Sequence, residues 1–270
     1  MLRTRILTAA VLACILLAGL FLLPAPWPVL GFGAVFTIGA WEWGGFGRLR
    51  GAASRAAYAA CIALLLFFTW KWTEDPLHLM LLLRAACVWW VIALLWLCFI
   101  PSRHYPLLGL ACGLPVLVPA FIALARLQIT TQGLARGPQI VLWLVLLVIA
   151  ADIGAYFAGR SVGRRKLAPR VSPGKTWEGA LGGLAMVALV AWGGAAYFGL
   201  RPVPTVAFGC VVGVFSIIGD LTESMFKRAA GLKDSGVLLP GHGGMLDRID
   251  SVTAAAPFYA LGLFGSGVIA

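Results

Sequence analysis

Long apolar runs separated by short polar segments dominate the chain. Nine of them are candidate membrane spans: Ile6–Leu23, Val29–Phe46, Ala56–Trp70, Leu77–Ile100, Pro106–Ala125, Gln139–Ala158, Gly179–Leu200, Val203–Gly219 and Ser251–Ala270. A helix crosses the hydrocarbon core with about 20 mainly apolar residues. Unpaired backbone groups are costly in lipid, so such runs should be helical. The third and eighth runs are short by apolar count and are expected to extend into their polar flanks. The first follows Arg3 and Arg5, as a secretory signal would. Its apolar stretch is too long for one, and no A-x-A site precedes Pro24, Pro26 and Pro28, so a retained span is expected. The pattern predicts an all-α integral membrane protein of about nine transmembrane helices.

Composition agrees. Of 270 residues, 61% are hydrophobic and 11% charged, and the mean hydropathy is +0.95. A soluble domain is roughly half apolar and about a quarter charged. The numbers exclude an ordinary soluble enzyme, a disordered chain and a secreted disulfide scaffold. Cys14, Cys61, Cys87, Cys98, Cys112 and Cys210 lie singly in apolar runs, without CxxC spacing. They predict neither zinc nor a redox pair, and are expected to be small buried hydrophobes.

Charge then orients the chain. There are 21 basic and 10 acidic residues, a net +11. Sixteen basic residues fall in one alternating set of connections: Arg3 and Arg5; Arg48, Arg50 and Arg55; Arg103; a run from Arg160 to Lys175; and a run from Lys227 to Arg248. The opposite set holds four, Lys71, Arg126, Arg136 and Arg201, and Arg84 lies within a span. Basic loops stay in the cytoplasm, so the N-terminus is expected there and the C-terminus outside. The cationic excess is thereby explained without nucleic acid, and no basic-and-aromatic ladder suggests any.

Acidic residues are unevenly spread. Glu42, Glu74 and Asp75 alone precede position 150, and the other seven lie between 152 and 250. No long linker or internal repeat divides the chain. The expectation is a single polytopic domain, with 1–138 mainly scaffold and 139–270 carrying the catalytic helices and loops.

Three polar clusters interrupt the second half. Asp152, Tyr156 and Arg160 recur at i, i+4 and i+8 on one helix face. A carboxylate at membrane depth faces a cavity or a partner by default; pairing of Asp152 with Arg160 is the plain alternative. Next comes the connection Ser161–Glu178, in which Ser172-Pro173-Gly174 makes a turn and Lys175-Thr176 opens a helix. A helix N-terminus beside lysine suits an anion, although a solvated basic loop explains this segment equally well. Third, Asp220, Glu223, Ser224 and Lys227 align on one helix face, and Asp247 and Asp250 repeat the i, i+3 spacing at the mouth of the last span. Acidic oxygens converging from two helices suit a hard cation such as Mg²⁺. Nearby Lys and Arg suit phosphate, and Gly241-His242-Gly243-Gly244 lets backbone N–H groups approach a ligand. Together these are the parts of phosphoryl or nucleotidyl transfer.

The residues from Ser224 to Asp250 run without a gap over 27 positions: Ser224-x-Phe226-Lys227-Arg228-x4-Lys233-Asp234-x-Gly236-x2-Leu239-Pro240-x-His242-Gly243-Gly244-Met245-x-Asp247-Arg248-Ile249-Asp250. This run resembles the signature of the phosphatidate cytidylyltransferase (CDP-diacylglycerol synthase) family. The segments Ala151–Arg160 and Ser172–Gly179 are similar to two further family segments, and Trp41-Glu42-Trp43 to another, more weakly. Ile153 departs from the usual small polar residue, and Gly174 from a common Lys; neither change removes a carboxylate.

The resemblance implies a Mg²⁺-dependent enzyme, a second cation being an open alternative, that makes CDP-diacylglycerol and pyrophosphate from CTP and phosphatidate. It implies a homodimer among membrane lipids, in a bacterial-type inner membrane, with the active site facing the cytoplasm. Its metal ligands map onto Asp220 and Asp247; Glu223 and Asp250 are further candidates for the metal or its surroundings. Candidate catalytic residues are Asp220, Asp247, Lys227, Arg228 and His242, the last more a structural or phosphate-contacting residue than a base. Candidate substrate-binding residues are Asp152, Tyr156, Arg160, Ser172, Lys175, Thr176, Glu178, Ser224, Lys233, Gly243, Gly244 and Arg248. Asp234 is expected to tie its loop to Lys233 or Arg228, and Glu42 and Arg84 to make internal pairs or cavity contacts. A transporter is the main alternative class, because intramembrane carboxylates also mark transport paths; a CTP-using transferase acting on another lipid is the other.

Overall fold

A computed structural model describes residues 2–99, 106–131, 136–238, 241 and 243–267, with side chains from Leu7 onward. Among these residues the chain forms nine helices and one hairpin: α1 (Leu2–Leu22), α2 (Pro26–Trp43), α3 (Ala52–Trp72), α4 (Pro76–Phe99), α5 (Pro106–Ile129), α6 (Gly137–Val162), β1 (Lys166–Ala168), β2 (Ser172–Thr176), α7 (Trp177–Phe198), α8 (Pro202–Ala229) and α9 (Leu246–Gly265). Each helix overlaps one predicted run. Six of them, α3 to α8, are long and apolar enough to cross a membrane, which makes this a multi-pass membrane protein.

Proline marks many of the helix starts. Pro26, Pro76, Pro106 and Pro202 each open a helix, where a missing N–H costs nothing and the fixed φ fits the first turn. Both runs that looked short do extend into polar flanks: α3 covers 21 residues and α8 covers 28. For α8 the extension matters, because it carries Asp220 to Lys227 as one continuous helix.

The interior is built around α5 and α9. Helix α5 is buried continuously from Val116 to Ala125, and α9 offers the fully buried Ala254-Ala255-Ala256. Small residues let neighbouring backbones approach, which supplies packing where lipid gives no hydrophobic drive. Trp43 donates from Nε1 to Gly109 O at 2.8 Å, and Tyr58 donates from its hydroxyl to Leu110 O at 2.8 Å. These bonds pin α2 and α3 to the start of α5.

Helices α6 and α7 make the most extensive contact in the fold. Glycines explain it. A Cβ on Gly154 would lie 2.5 Å from Gly182 O, 2.8 Å from the Met186 side chain and 3.0 Å from the Gly183 backbone. This close approach sets the Asp152–Arg160 face of α6 beside the start of α7. Helix α7 ends on Gly199 at φ 65°, a left-handed stop that glycine adopts without penalty.

Two expectations need correction. The connection Ser161–Glu178 is not merely a turn and a helix start; it contains an antiparallel hairpin, with Lys166 opposite Thr176 and Ala168 opposite Ser172. Pairing satisfies backbone groups that a bare loop would leave to water. Nor are the cysteines uniformly buried. Cys112 is buried, but Cys14, Cys61 and Cys98 are exposed on outward helix faces. An outward face of a membrane helix meets lipid, where a small apolar thiol costs nothing. All six are free.

A bulkier residue at the α6–α7 contact should be costly. Gly154→Val should destabilise the protein by about 1–3 kcal/mol, the usual range for overpacking. A lowered unfolding temperature in detergent checks this; an unchanged one would contradict the packing described.

Candidate active site

The hairpin, α6, α7 and α8 enclose a cleft of about 490 Å³. Asp152, Tyr156 and Arg160 reach it from α6, Lys175 and Thr176 from β2, and Asp220 from α8. Ala155, Leu167, Ala180 and Ile217 complete an apolar part of the lining. Polar and charged side chains thus share one cavity with an apolar wall, the usual make-up of a small-molecule site.

The hairpin is held in place from its own neighbourhood. Glu178, in the first turn of α7, accepts from the backbone N–H groups of Arg164 and Arg165 at 3.0 and 3.1 Å. Thr176 is the N-cap of α7 and accepts from Gly179 N at 3.1 Å. Arg228 donates to Val171 O at 3.4 Å and to Leu232 O at 3.3 Å, linking the hairpin turn to the end of α8. Glu178, Thr176 and Arg228 therefore make tertiary and capping bonds here. Fixed in this way, the hairpin brings Lys175 into an ion pair with Asp220. Both side chains remain about a quarter exposed, at 28% and 26%. Arg160 donates to the Tyr156 hydroxyl at 2.8 Å. Among the described residues, Asp152 instead has Lys175 and Arg248 as its cationic neighbours and Asp220 as its acidic one.

A second group lies deeper, where α8 meets α9. Lys227 is only 7% exposed. Its ammonium is 2.6 Å from Asp247 Oδ1 and 3.1 Å from Glu223 Oε1. Asp250 is also near enough to act electrostatically on Lys227, Glu223 and Asp220. One lysine thus offsets several carboxylates. Lys227 turns toward these acids and does not line the cleft beside Lys175. Ser224 donates to Asp220 Oδ1 at 3.3 Å, one turn away on the same helix.

Asp247 is held on both oxygens. Oδ1 takes Lys227, and Oδ2 accepts from Ser235 N at 3.0 Å and Gly244 N at 2.8 Å. Glycine is needed where the loop closes on this carboxylate: Gly243 has φ 80°, and a Cβ there would collide with Asp247 Oδ2. Lys233 and Arg248 are exposed, and Ser172 is half-buried in β2. His242 lies outside the described residues.

Glu42 was expected to make an internal pair or a cavity contact; its acceptors are engaged otherwise. This α2 residue, 5% exposed, accepts from Ser235 Oγ at 2.9 Å, Met245 N at 3.0 Å and Leu246 N at 2.8 Å. Its sequence separation from Leu246 is 204 residues. The sequence signals for it were its charge within a span and the weak Trp41-Glu42-Trp43 likeness; neither pointed to these partners. Arg84 is exposed on α4.

Carboxylates, a lysine and an arginine gathered at one cleft of a multi-pass membrane protein point to a class, a membrane enzyme with a charged site. Comparison with known proteins narrows it. The chain belongs to the cytidylyltransferase family, which matches residues 3–264. It is 41% identical over 282 residues to a phosphatidate cytidylyltransferase of Haemophilus influenzae, covering 96% of this chain and 98% of that protein. It is 44% identical over 276 residues to a phosphatidate cytidylyltransferase of Pseudomonas aeruginosa, covering 99% and 98%. A phosphatidate cytidylyltransferase of Brucella suis is 46% identical over 142 residues, about half of each chain at 48% and 48%.

Removing the central lysine should be severe. Lys227→Met leaves Glu223 and Asp247 without their buried counter-charge, which typically costs about 3–5 kcal/mol. The double variant Lys227→Met with Glu223→Gln should recover part of that loss. Thermal unfolding in detergent reads both; a single variant as stable as the parent would contradict the role assigned to Lys227.

Proposed function

We propose that this protein is a nucleotidyltransferase that converts CTP and phosphatidate to CDP-diacylglycerol and pyrophosphate. One observation carries the reading beyond family membership: Lys175 and Asp220 meet across a cleft that also holds Asp152 and Arg160 and has an apolar wall. Such a cavity suits a nucleoside triphosphate and a lipid phosphate side by side. The two full-length relatives, phosphatidate cytidylyltransferases by name, support the same substrates.

The reaction is a displacement at phosphorus. An oxygen of the phosphatidate phosphate forms a bond to the α-phosphorus of CTP. The bond from that phosphorus to the bridging oxygen breaks, and pyrophosphate departs with that oxygen. A phosphate monoester is already largely ionised near neutral pH, its second pKa being about 6, so no strong general base is required. Positioning and charge balance carry most of such a transfer. Arg160, with its guanidinium steadied by Tyr156, and Lys175 are placed to hold phosphate groups in the cleft. Asp152 and Asp220 keep Lys175 oriented before substrate arrives.

The acidic residues of α8 and α9 offer oxygen donors of the kind Mg²⁺ takes. Glu223 has Asp220 and Asp247 as acidic neighbours, Asp250 has Asp220 and Glu223, and Glu223 Oε2 is buried without a hydrogen-bond partner among the described residues. Also among these residues, no group of three or more acidic, imidazole or thiol side chains is arranged to hold a metal ion by itself. Mg²⁺ commonly takes one or two carboxylates and completes its shell with water and substrate phosphates. Asp220 and Asp247 would hold it, with Glu223 and Asp250 alongside. When bound, the ion supplies charge neutralisation to the triphosphate.

The proposal extends to topology: nine spans, the N-terminus and the active site on the cytoplasmic side of a bacterial-type inner membrane, the C-terminus outside, and a homodimer. The sixteen-to-four distribution of basic residues supports the orientation.

Purified protein should move label from cytidine-labelled CTP into the lipid phase when given phosphatidate and Mg²⁺, and chelation should stop it. Asp220→Asn and Asp247→Asn should each lower turnover by about a hundredfold or more, the scale for losing a key electrostatic group. Lys175→Ala should raise the CTP concentration needed for half-maximal rate. Transfer of γ-phosphate alone would indicate a lipid kinase and overturn the proposal.

A further inference from the structure

The N-terminus of α9 has no cap from its own sequence: Met245, at the N-cap, makes no side-chain cap bond. Backbone N–H groups at a helix start need acceptors, and burial makes orphaned ones costly. Two of them, Met245 N and Leu246 N, are taken by Glu42 from the other end of the chain, one on each carboxylate oxygen. Helix N-termini favour negative charge, so the carboxylate suits the place electrostatically as well.

Ser235 extends the arrangement. Its hydroxyl donates to Glu42 Oε2, and its backbone N–H donates to Asp247 Oδ2. Gly244 N, next to Met245, donates to the same Asp247 oxygen. Glu42 and Asp247 are therefore joined through Ser235 on one side and through residues 244–246 on the other. Glycine permits the closure: a Cβ on Gly236 or Gly244 would strike the Glu42 carboxylate. Glu42 is itself anchored, because the adjacent Trp43 bonds Gly109 O and lies 5.3 Å from the Phe226 ring, one residue before Lys227.

We propose that Glu42 is a positioning residue: it clamps the Ser235 loop and the start of α9 so that Asp247 is held in register with Lys227 and the carboxylates of α8. It need not touch substrate. The inference rests on the reading that Asp247 belongs to the catalytic site. The half of the chain that otherwise supplies packing would thus contribute one residue to the geometry of the reaction.

Glu42→Gln keeps the length and shape of the side chain, and Glu42→Ala removes the clamp. Ser235→Ala removes one tie. Each is compared with the parent by CTP and phosphatidate dependence of the rate, and by hydrogen exchange in detergent of segment 243–250 against α5. Glu42→Ala should lower the rate at limiting CTP by about 10–100-fold, the range for partners that orient a metal-site ligand. Glu42→Gln should fall between Ala and the parent. The phosphatidate dependence should hardly move. Exchange should rise in 243–250 and stay unchanged in α5. The Glu42→Ala, Ser235→Ala pair should lose no more than Glu42→Ala alone, since both act through one connection. Unchanged exchange in 243–250 would overturn the proposal, and so would an equal loss toward both substrates with exchange raised throughout the fold. A parent protein that makes no liponucleotide would instead sink the catalytic reading, and exchange alone would then judge the clamp.

Discussion

The structure turns on one buried cation. Lys227 sits between Glu223 on its own helix and Asp247 at the start of the next, with Asp250 close by. Such an arrangement is not a cheap source of stability, since the desolvation of each charge offsets much of the attraction. What it gives is register. Helices α8 and α9 can slide or rotate only by separating Lys227 from its acids, and an uncompensated carboxylate in an apolar surround is severely penalised. The approach of Gly219 to the Asp250 carbonyl and the Ala254 methyl makes the same contact tight on the other side.

From that contact the rest of the site follows outward. Asp220 stands two turns before Lys227 on α8 and meets Lys175 from the hairpin. Glu178 and Thr176 fix the hairpin to α7, and the glycine-rich seam fixes α7 to α6, which brings Asp152 and Arg160. Each ionic group is thus placed by a helix that is itself placed by small residues. Close packing and polar chemistry are parts of one design: without the glycines the helices could not approach, and without the approach the charges would be unpaired.

Much of this was legible in the sequence. Hydropathy located each of the nine described helices, because membrane helices must satisfy their backbone internally and so follow apolar length; it missed the polar ends, α8 running ten residues past Gly219 and α9 starting five before Ser251. The i, i+3, i+4, i+7 spacing put Asp220, Glu223, Ser224 and Lys227 on one helix, as observed. Partner choice was not legible. Glu178 and Thr176 read as substrate-binding candidates, and the bonds by which they hold the hairpin and cap α7 were not foreseen, for nothing in a local pattern says which backbone N–H an oxygen meets. The short hairpin was hidden because basic and turn-forming residues read equally well as a loop. Glu42 was the hardest: its partners lie about two hundred residues away, and a lone carboxylate in a span has no periodicity to betray it.

The central claim is that the acidic cluster and its lysines form the nucleotide site. Binding tests it without requiring turnover: thermal stabilisation of the detergent-solubilised protein by CTP with Mg²⁺, measured for the parent and for Asp220→Asn. Ligand that binds only the folded form must raise its stability. The parent should be stabilised progressively with CTP concentration, and Asp220→Asn, though folded, should respond weakly or not at all. Equal stabilisation of the two proteins would contradict the claim and place the nucleotide elsewhere.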